Sequence, residues 1–533
     1  MYMYSLNNVD YIIMTILFGS FALIAYHFRR KNPTSQSFLL ANDKNKSSLV
    51  SSINILGIGL PEFLLFTTTG AIFGFPALCI VITSYIVIKL LINKFSKNEF
   101  WSVVQCAKKS SIHQRGLAIY YIVFLLLIAA TAVMTIVTLF KGLIAWEFGN
   151  SALSLMVVVG VCMLIGGVIS VFYGQFLATL ITLVIMIITA ILAIKSVGIN
   201  DIVPNLQKIA TINGYLNNQF VSLSFSSSTL QHFGLAAFAA IVVVLANPWG
   251  LFSNKTKIAD SKFNFKSIIK AISIILAILI GVLALATPQP LTGNNGRVIT
   301  TQEKMEDGTI GYVVRMVDKD KAPITQEKFS SIIPLVGSTS QISETHYTLD
   351  QNQEANYNYT SAAIVLIKHL FAYAFIPLIL LVSLFYRTIS ETISFATLLS
   401  INTMYIPYSN KTNEDLENLW AARVFMFMYF FIIIAIGLVF YKYFNYDFVF
   451  GVLAIFAMPV LVGNLLKANL FTMKLITLVG VLALITNNIN DVPSLFPMVN
   501  YSSWWSFCLI VPSIMFIVGI IVNPILNKVL NVK

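Results

Sequence analysis

Long runs of apolar residues, separated by short polar and basic segments, set the pattern of this chain. Runs long enough to cross a bilayer occur near residues 11–28, 48–70, 71–93, 117–144, 151–173, 175–197, 232–252, 267–287, 371–402, 421–441, 447–466, 470–487 and 504–524. At about 20 residues per span they predict about thirteen transmembrane helices. Basic residues fix the expected orientation. Arg29, Arg30 and Lys31, the stretch from Lys94 to Arg115, and the stretch from Lys255 to Lys266 follow spans 1, 3 and 7, so all three fall on one side, the cytoplasmic one. The N-terminus is then outside and the C-terminus, with Lys528 and Lys533, inside. The longest hydrophilic segment, residues 288–361, holds six Lys or Arg against nine Asp or Glu. That sign places it outside by an independent count. It is expected either to cap a cavity, to bind a partner, or to be a loose loop.

Two spans are interrupted by helix breakers. Span 2 contains "GIGLPE", Gly57 to Glu62, and span 7 contains "ANPWG", Ala246 to Gly250. Unwound backbone at membrane depth frees carbonyls and amides for ions and polar solutes, and discontinuous helices at matching places in two halves point to a transport site. A simple proline kink is the bland alternative. A second oddity is "YRTISE", residues 386–391, inside the apolar run of span 9. Arg387, Ser390, Glu391 and Ser394 fall at i, i+3, i+4 and i+7, which makes one polar stripe that must face inward. A charge near mid-membrane costs from about 3 kcal/mol upward, so it pairs or lines a wet cavity. Two readings stand side by side: a private i, i+4 pair between Arg387 and Glu391, or an Arg387 that reaches the broken helix of span 2 near Glu62, Gly57 and Gly59. Glu62 follows a proline where a helix restarts, a place that favours an anion whether or not a ligand binds.

Composition agrees with the pattern and removes other classes. The 533 residues are 57% hydrophobic and only 11% charged, against about a quarter charged in soluble domains, and mean hydropathy is +0.81. The net charge of +12 is spread over short inter-span clusters, so it reads as topology and excludes nucleic-acid binding. Cys79, Cys106, Cys162 and Cys508 have no metal-ligand or redox-motif spacing. No metal beyond sodium and no other cofactor is expected. No His/Glu metal cluster or nucleophile signature speaks for an enzyme. "MYMYSLNNVD" lacks a basic n-region and a cleavage site, so the first run is expected to be a retained span.

At these residues the chain resembles the sodium/solute symporter family, which includes proline, pantothenate, sialic acid and sugar transporters. Residues 361–400, "SAAIVLIKHLFAYAFIPLILLVSLFYRTISETISFATLLS", resemble the family's short external helix followed by the long helix with an "A-A-x-M-S-T-A-D-S" core. "LIGGVISVFYGQ", residues 164–175, resembles its "GG" and later glutamine, and residues 51–78 its broken first core helix, ending in Gly70 and Gly74. "NPWG" and the basic loop with "IADSK" are similar to its sixth core helix and the loop beyond. The resemblance implies an all-α polytopic membrane protein with an inverted five-helix repeat, the leucine-transporter-type fold. Residues 1–47 would hold a peripheral first helix, 48–231 the first repeat, 232–470 the second with the external loop 288–361, and 471–533 peripheral helices.

In that family the second sodium site uses carbonyls of the broken first core helix and two hydroxyls of the long helix. The ungapped alignment puts Arg387 at the first hydroxyl, Thr388 at the second and Ser390 at the usual aspartate. The expected ion site, for sodium or for an internal cation, is therefore Gly57, Gly59, Arg387, Thr388, Ser390 and Glu391. The expected substrate contacts are Glu62, Thr67, Asn247, Trp249 and Thr131, with Thr135 one turn from Thr131. The function implied is secondary transport of a small organic solute by alternating access, with sodium or a proton as coupling ion, in a bacterial-type inner membrane. Ion-independent exchange is the alternative, and a membrane sensor is a further one disfavoured by a C-terminus at Lys533 that leaves no signalling module. No obligate protein partner is implied besides the lipid bilayer and the solute.

Overall fold

The helix that carries the two charges is enclosed by protein on every side. It runs over Phe375–Ser400, and each residue from Leu380 to Ser400 is buried. A helix whose polar and apolar faces are both covered belongs at the centre of a bundle. The computed structural model describes residues 4, 6–29, 54, 57–78, 112–212, 218, 220–222, 241–242, 245, 265–290, 297–304, 310–317, 329–331, 341–343, 346–347, 359–409, 416–444, 446–466, 468–488 and 504–529.

Among these, the helices in chain order are α1 (Asn8–Arg29), α2 (Leu60–Phe73), α3 (Ile112–Ile144), α4 (Ser154–Val197), α5 (Ile202–Ile212), α6 (Phe265–Ala286), α7 (Ala362–Leu370), α8 (Phe375–Ser400), α9 (Leu416–Tyr443), α10 (Tyr446–Leu466), α11 (Leu470–Asn488) and α12 (Trp504–Val529). Seven described helices are long and apolar enough to span a membrane, including α1, α3, α4, α8, α9, α10 and α12. The central pair is α8 and α3, each with 89% of its apolar window buried, against 22% for α1 and 28% for α12. α8 packs on α4, α3, α2 and α1, and α3 also carries α9 and α10. α10, α11 and α12 pack on one another at the periphery.

The two spans expected at 151–173 and 175–197 form one element, α4, with a single non-helical residue at Gly167 (φ 63°, ψ −166°). Only glycine takes that backbone without strain, so the boundary falls there and not at Gly174. α2 and α6 meet backbone to backbone. A Cβ on Gly70 would lie 3.0 Å from the Ile278 carbonyl carbon, and one on Gly281 would lie 2.9 Å from the Ala71 nitrogen. Small residues at such a crossing are what packing inside a bilayer requires, because lipid gives no hydrophobic push between helices.

The start of α8 is pinned by the chain's N-terminal segment. Asp10 is 3% exposed and accepts from the Phe375 N–H at 2.9 Å and the Asn7 N–H at 2.8 Å. Its carboxylate thus caps two helices at once. The Tyr4 hydroxyl donates to the Phe371 carbonyl at 2.6 Å, and its N–H to the Leu143 carbonyl at 2.8 Å. Lower down, the Phe21 ring stacks on Tyr386 at 3.9 Å.

The membrane body is all-α, as expected. The segment between α6 and α7 adds six short strands: β1 (Pro288–Pro290), β2 (Arg297–Lys304), β3 (Ile310–Val317), β4 (Phe329–Ser331), β5 (Gln341–Ser343) and β6 (His346–Tyr347). β1 pairs with β4, and the other four form a sheet in the order β2-β3-β6-β5. The β2–β3 hairpin runs from Arg297 opposite Val317 to Lys304 opposite Ile310. Its sequences "RVITTQEK" and "IGYVVRMV" are rich in β-branched residues, a short-range signal that a span-length hydropathy reading passes over.

Gly281→Val should destabilise the protein by about 1–3 kcal/mol through overpacking against α2, seen as a lower thermal midpoint in detergent. Gly142→Ala, where no atom lies within 4 Å of the added carbon, should not lower it. Matching midpoints for the two variants would refute the backbone contact.

Candidate functional site

The break in span 2 is present. Asn54 is helical, Gly57 to Gly59 are not, and α2 begins at Leu60. Pro61 in the first turn removes a donor that would have had no partner there, and fixes the entry of the helix. The Glu62 side chain turns back to accept from the Gly59 N–H. This is the cap that the sequence offered as one of two roles for Glu62, and it satisfies one orphan amide at a buried helix start. At 14 residues, α2 spans about 21 Å, too short for a bilayer core by itself.

Two consecutive residues of α8 hold the two sides of this break. The Arg387 guanidinium donates through Nη2 to the Asn54 carbonyl at 2.8 Å, on the upstream side. Thr388 accepts from the Leu60 N–H at 2.9 Å, on the downstream side, and passes its own proton to the Leu384 carbonyl at 3.0 Å. A Cβ on Gly57 would collide with the guanidinium, so glycine is what lets the arginine lie against the unwound backbone. Arg387 also donates through Nη1 to the Thr179 hydroxyl at 2.7 Å and pairs with the Glu391 carboxylate at 3.6 Å. The i, i+4 pair is present, and the same guanidinium bonds the carbonyl of Asn54, three residues before Gly57.

The third wall is α4. Its Gln175 donates to the Ser390 hydroxyl at 3.3 Å, and Ser390 donates to the Arg387 carbonyl at 3.2 Å. The Asn54 side-chain amide donates to the Phe172 carbonyl at 2.8 Å. Arg387, Ser390 and Glu391 are each at most 2% exposed. Neither Asn54 nor Thr179 stood out in the sequence as a site residue. A signal existed for the second: Gln175, Thr179, Thr182 and Thr189 are all buried on α4 at spacings of four, three and seven, a polar seam on a helix of otherwise apolar character. Asn54 offered none, because its part is played by its backbone carbonyl.

Of the other sequence-predicted residues, Gly57, Gly59, Glu62, Thr388 and Ser390 come together with Arg387 and Glu391. Thr67 donates to the Phe63 carbonyl at 2.9 Å, Thr131 to Leu127 at 2.8 Å and Thr135 to the Thr131 carbonyl at 2.8 Å, so each hydroxyl is spent on its own helix. Asn247 and Trp249, with the whole second break, lie outside the described residues. Leu245, just before it, accepts from the Tyr121 hydroxyl of α3 at 2.8 Å, which ties that chain segment to the central pair. Among the described residues no three His, Cys, Asp or Glu side chains gather where they could hold a metal.

No curated protein sequence matches this chain. A solved structure, the substrate-bound outward-open state of a Na+-coupled sialic acid symporter with a novel Na+ site, matches with a TM-score of 0.62 over 97% of this chain and 98% of that chain. At 11% identity this similarity shows the fold. The family model of the sodium:solute symporter family matches residues 46–320, more than half of the 533 residues and including α2, α3, α4 and α6. The chain, a multi-pass membrane protein with the symporter fold, belongs to the sodium:solute symporter family.

Proposed function

We propose that this protein carries a small organic solute across the membrane by alternating access, and that the Arg387 guanidinium stands as a resident cation where sodium would bind. The two repeats, residues 48–231 and 232–470, would rock about the broken helices. The observation that carries the reading is the seat of the guanidinium: it bonds a carbonyl at the end of one half-helix, beside the glycine that opens the break. A sodium ion in such a place would take the same carbonyl as ligand, since hard cations select oxygen donors. Arginine does not deprotonate in proteins, so this positive charge is permanent. A bound sodium beside it would meet like charge.

Transport asks that the break be held and then released. The Arg387 and Thr388 bonds join α8 to both sides of the break, so movement of α8 against α2 must exchange them for water or solute. Glu62, Thr67 and Thr131, with Asn247 and Trp249, remain the proposed solute contacts, and Glu62 is the one among them adjacent to the seat.

The reading makes two measurements decisive. In proteoliposomes, replacing sodium by potassium should leave wild-type uptake and ligand-induced stabilisation unchanged, and Arg387→Ser should gain sodium dependence. For that variant, sodium at a hundred times its dissociation constant should stabilise by about 2.7 kcal/mol. Sodium-driven uptake by wild type that is the same in Arg387→Ser would sink the proposal. Separately, Thr388→Val should lose about 1–2 kcal/mol, because the buried Leu60 N–H is left without its acceptor. Thr392→Val, whose hydroxyl bonds only Thr388 and Ile389 carbonyls of its own helix, should lose less. Thermal unfolding in detergent gives the comparison, and equal losses would mean that the inter-helix bond contributes nothing.

A further inference from the structure

The segment from Tyr4 to Asp10 is fixed at two places to one group of helices. Asp10 of α1 accepts from the Phe375 N–H of α8 at 2.9 Å, and the Tyr4 N–H donates to the Leu143 carbonyl at the end of α3 at 2.8 Å. α1 and α3 both pack on α8, and Phe21 of α1 stacks on Tyr386 of α8 at 3.9 Å, so these three helices hold one another. The Tyr4 side chain reaches the other way, to α7. Its hydroxyl donates to the Phe371 carbonyl, just beyond α7, at 2.6 Å. The Lys368 ammonium of α7 lies 5.4 Å from the centre of its ring, a cation–π contact, and has no hydrogen-bond partner among the described residues. α7 is seated on α6 and α2 as well as on α4, and α6 and α2 meet at the glycine crossing. Tyr4 thus ties the α1–α3–α8 group to a helix that rides on α2 and α6.

We propose, resting on the alternating-access reading above, that Tyr4 is a releasable latch between α7 and the α1–α3–α8 group. It is a positioning residue for transport, acting through the helices and not on the solute. The link between α7 and α8, Phe371 to Ala374, lies outside both helices, and short segments of this kind are where hinges absorb changes of backbone angle. When α2 and α6 move against α8, α7 moves with them about this link, and the Phe371 carbonyl draws away from the Tyr4 hydroxyl. The Arg387–Asn54 and Thr388–Leu60 bonds at the α2 break are lost in the same movement. Two sets of bonds therefore oppose opening in parallel, one at the break and one at the strap. Weakening the strap raises the frequency of opening at the break.

The strap is placed to let go readily. Phe375 and Arg387 are twelve residues apart on α8, about 18 Å along the axis, against roughly 15 Å from the middle of a bilayer core to its edge. With Arg387 near mid-bilayer, the strap stands at that edge. Tyr4 and Lys368 are each half-buried, so water takes over the Phe371 carbonyl and the ammonium once they separate. Asp10 differs. It is 3% exposed and caps two helices, so it anchors the strap while the Tyr4 side chain releases α7. A static brace would make the same bonds. What separates brace from latch is whether loss of the Tyr4 contacts is felt at the break.

The test is amide hydrogen exchange, read by mass spectrometry on the full-length protein in lipid nanodiscs with no solute and no sodium, in peptides that cover Leu60. The Leu60 N–H is the donor to Thr388, so it exchanges when the break opens. Tyr4→Phe should raise its exchange rate about fivefold, which is what one hydrogen bond is worth. Tyr4→Ala should raise it about tenfold or more, since the cation–π contact goes too. Peptides of α12, which packs on α10 and α11, should not change. In Tyr4→Cys/Lys368→Cys, with the four native cysteines replaced by alanine, Leu60 should exchange fast. Bridging that pair with a short bis-maleimide should slow it to the wild-type rate or below, so one protein serves as its own control for folding. An unchanged Leu60 rate in Tyr4→Ala, a rise in α12 as large as at Leu60, or a bridged protein as fast as the unbridged one would each overturn the latch. Since neither solute nor sodium enters, such a result leaves the transport reading standing. That reading fails instead when sodium-driven uptake by wild type is the same in Arg387→Ser.

Discussion

A guanidinium buried in a membrane protein cannot shed its proton and cannot reach bulk water, so the surrounding structure must supply its acceptors. Arg387 meets this demand with a backbone carbonyl, a hydroxyl and a carboxylate drawn from three helices. The carbonyl is available because the helix of Asn54 stops just beyond it. The break and the arginine fit each other: where the helix stops, the Asn54 carbonyl accepts the Gly57 N–H at 3.3 Å and gives its second lone pair to the guanidinium at 2.8 Å.

The rest of the core follows from holding α8 in register with that break. α8 is fixed at one end by Asp10 on the Phe375 amide, at the middle by Tyr386 stacked on Phe21, and at the site by Thr388 on the Leu60 amide. Close backbone contact at Gly70 and Gly281 brings α6 onto α2. Polar bonds at three levels and a glycine crossing do in a bilayer what the hydrophobic effect does in water, because lipid tails reward no burial of leucine. Family membership says that the chain transports a solute.

The same economy explains which polar residues matter. Many threonines in the described spans return their hydroxyls to a carbonyl four residues back, as Thr67, Thr69, Thr131 and Thr135 do. Each donates its proton within its own helix, so Thr67 and Thr131 would meet a solute only as acceptors. The informative groups are those bonded between helices, such as Thr179, Thr388 and Gln175, and those on a buried face that have no partner among the described residues, such as Ser394 and Thr397. Residue type separates none of these from the back-bonded threonines, whereas the identity of the bonding partner does.

Immersion in the bilayer, the approximate placing of the described spans, the interruption at Gly57 to Glu62 and the inward stripe of α8 were legible in the sequence, whereas the spans expected at 71–93 and 232–252 lie almost wholly outside the described residues. Each rests on local composition or on the 3.6-residue period, and neither needs knowledge of any other helix. Tertiary structure alone decided that the guanidinium meets Asn54, 333 positions away in the chain, that Thr179 completes its shell, and that Glu62 caps its own helix. It also placed the turn of α4 at Gly167, and it paired into strands a segment whose β-branched residues lie in runs too short to register as a span. The physical reason is common to all of these. Hydropathy measures how one segment partitions between water and lipid, and a hydrogen bond between helices depends on crossing geometry that no single segment encodes.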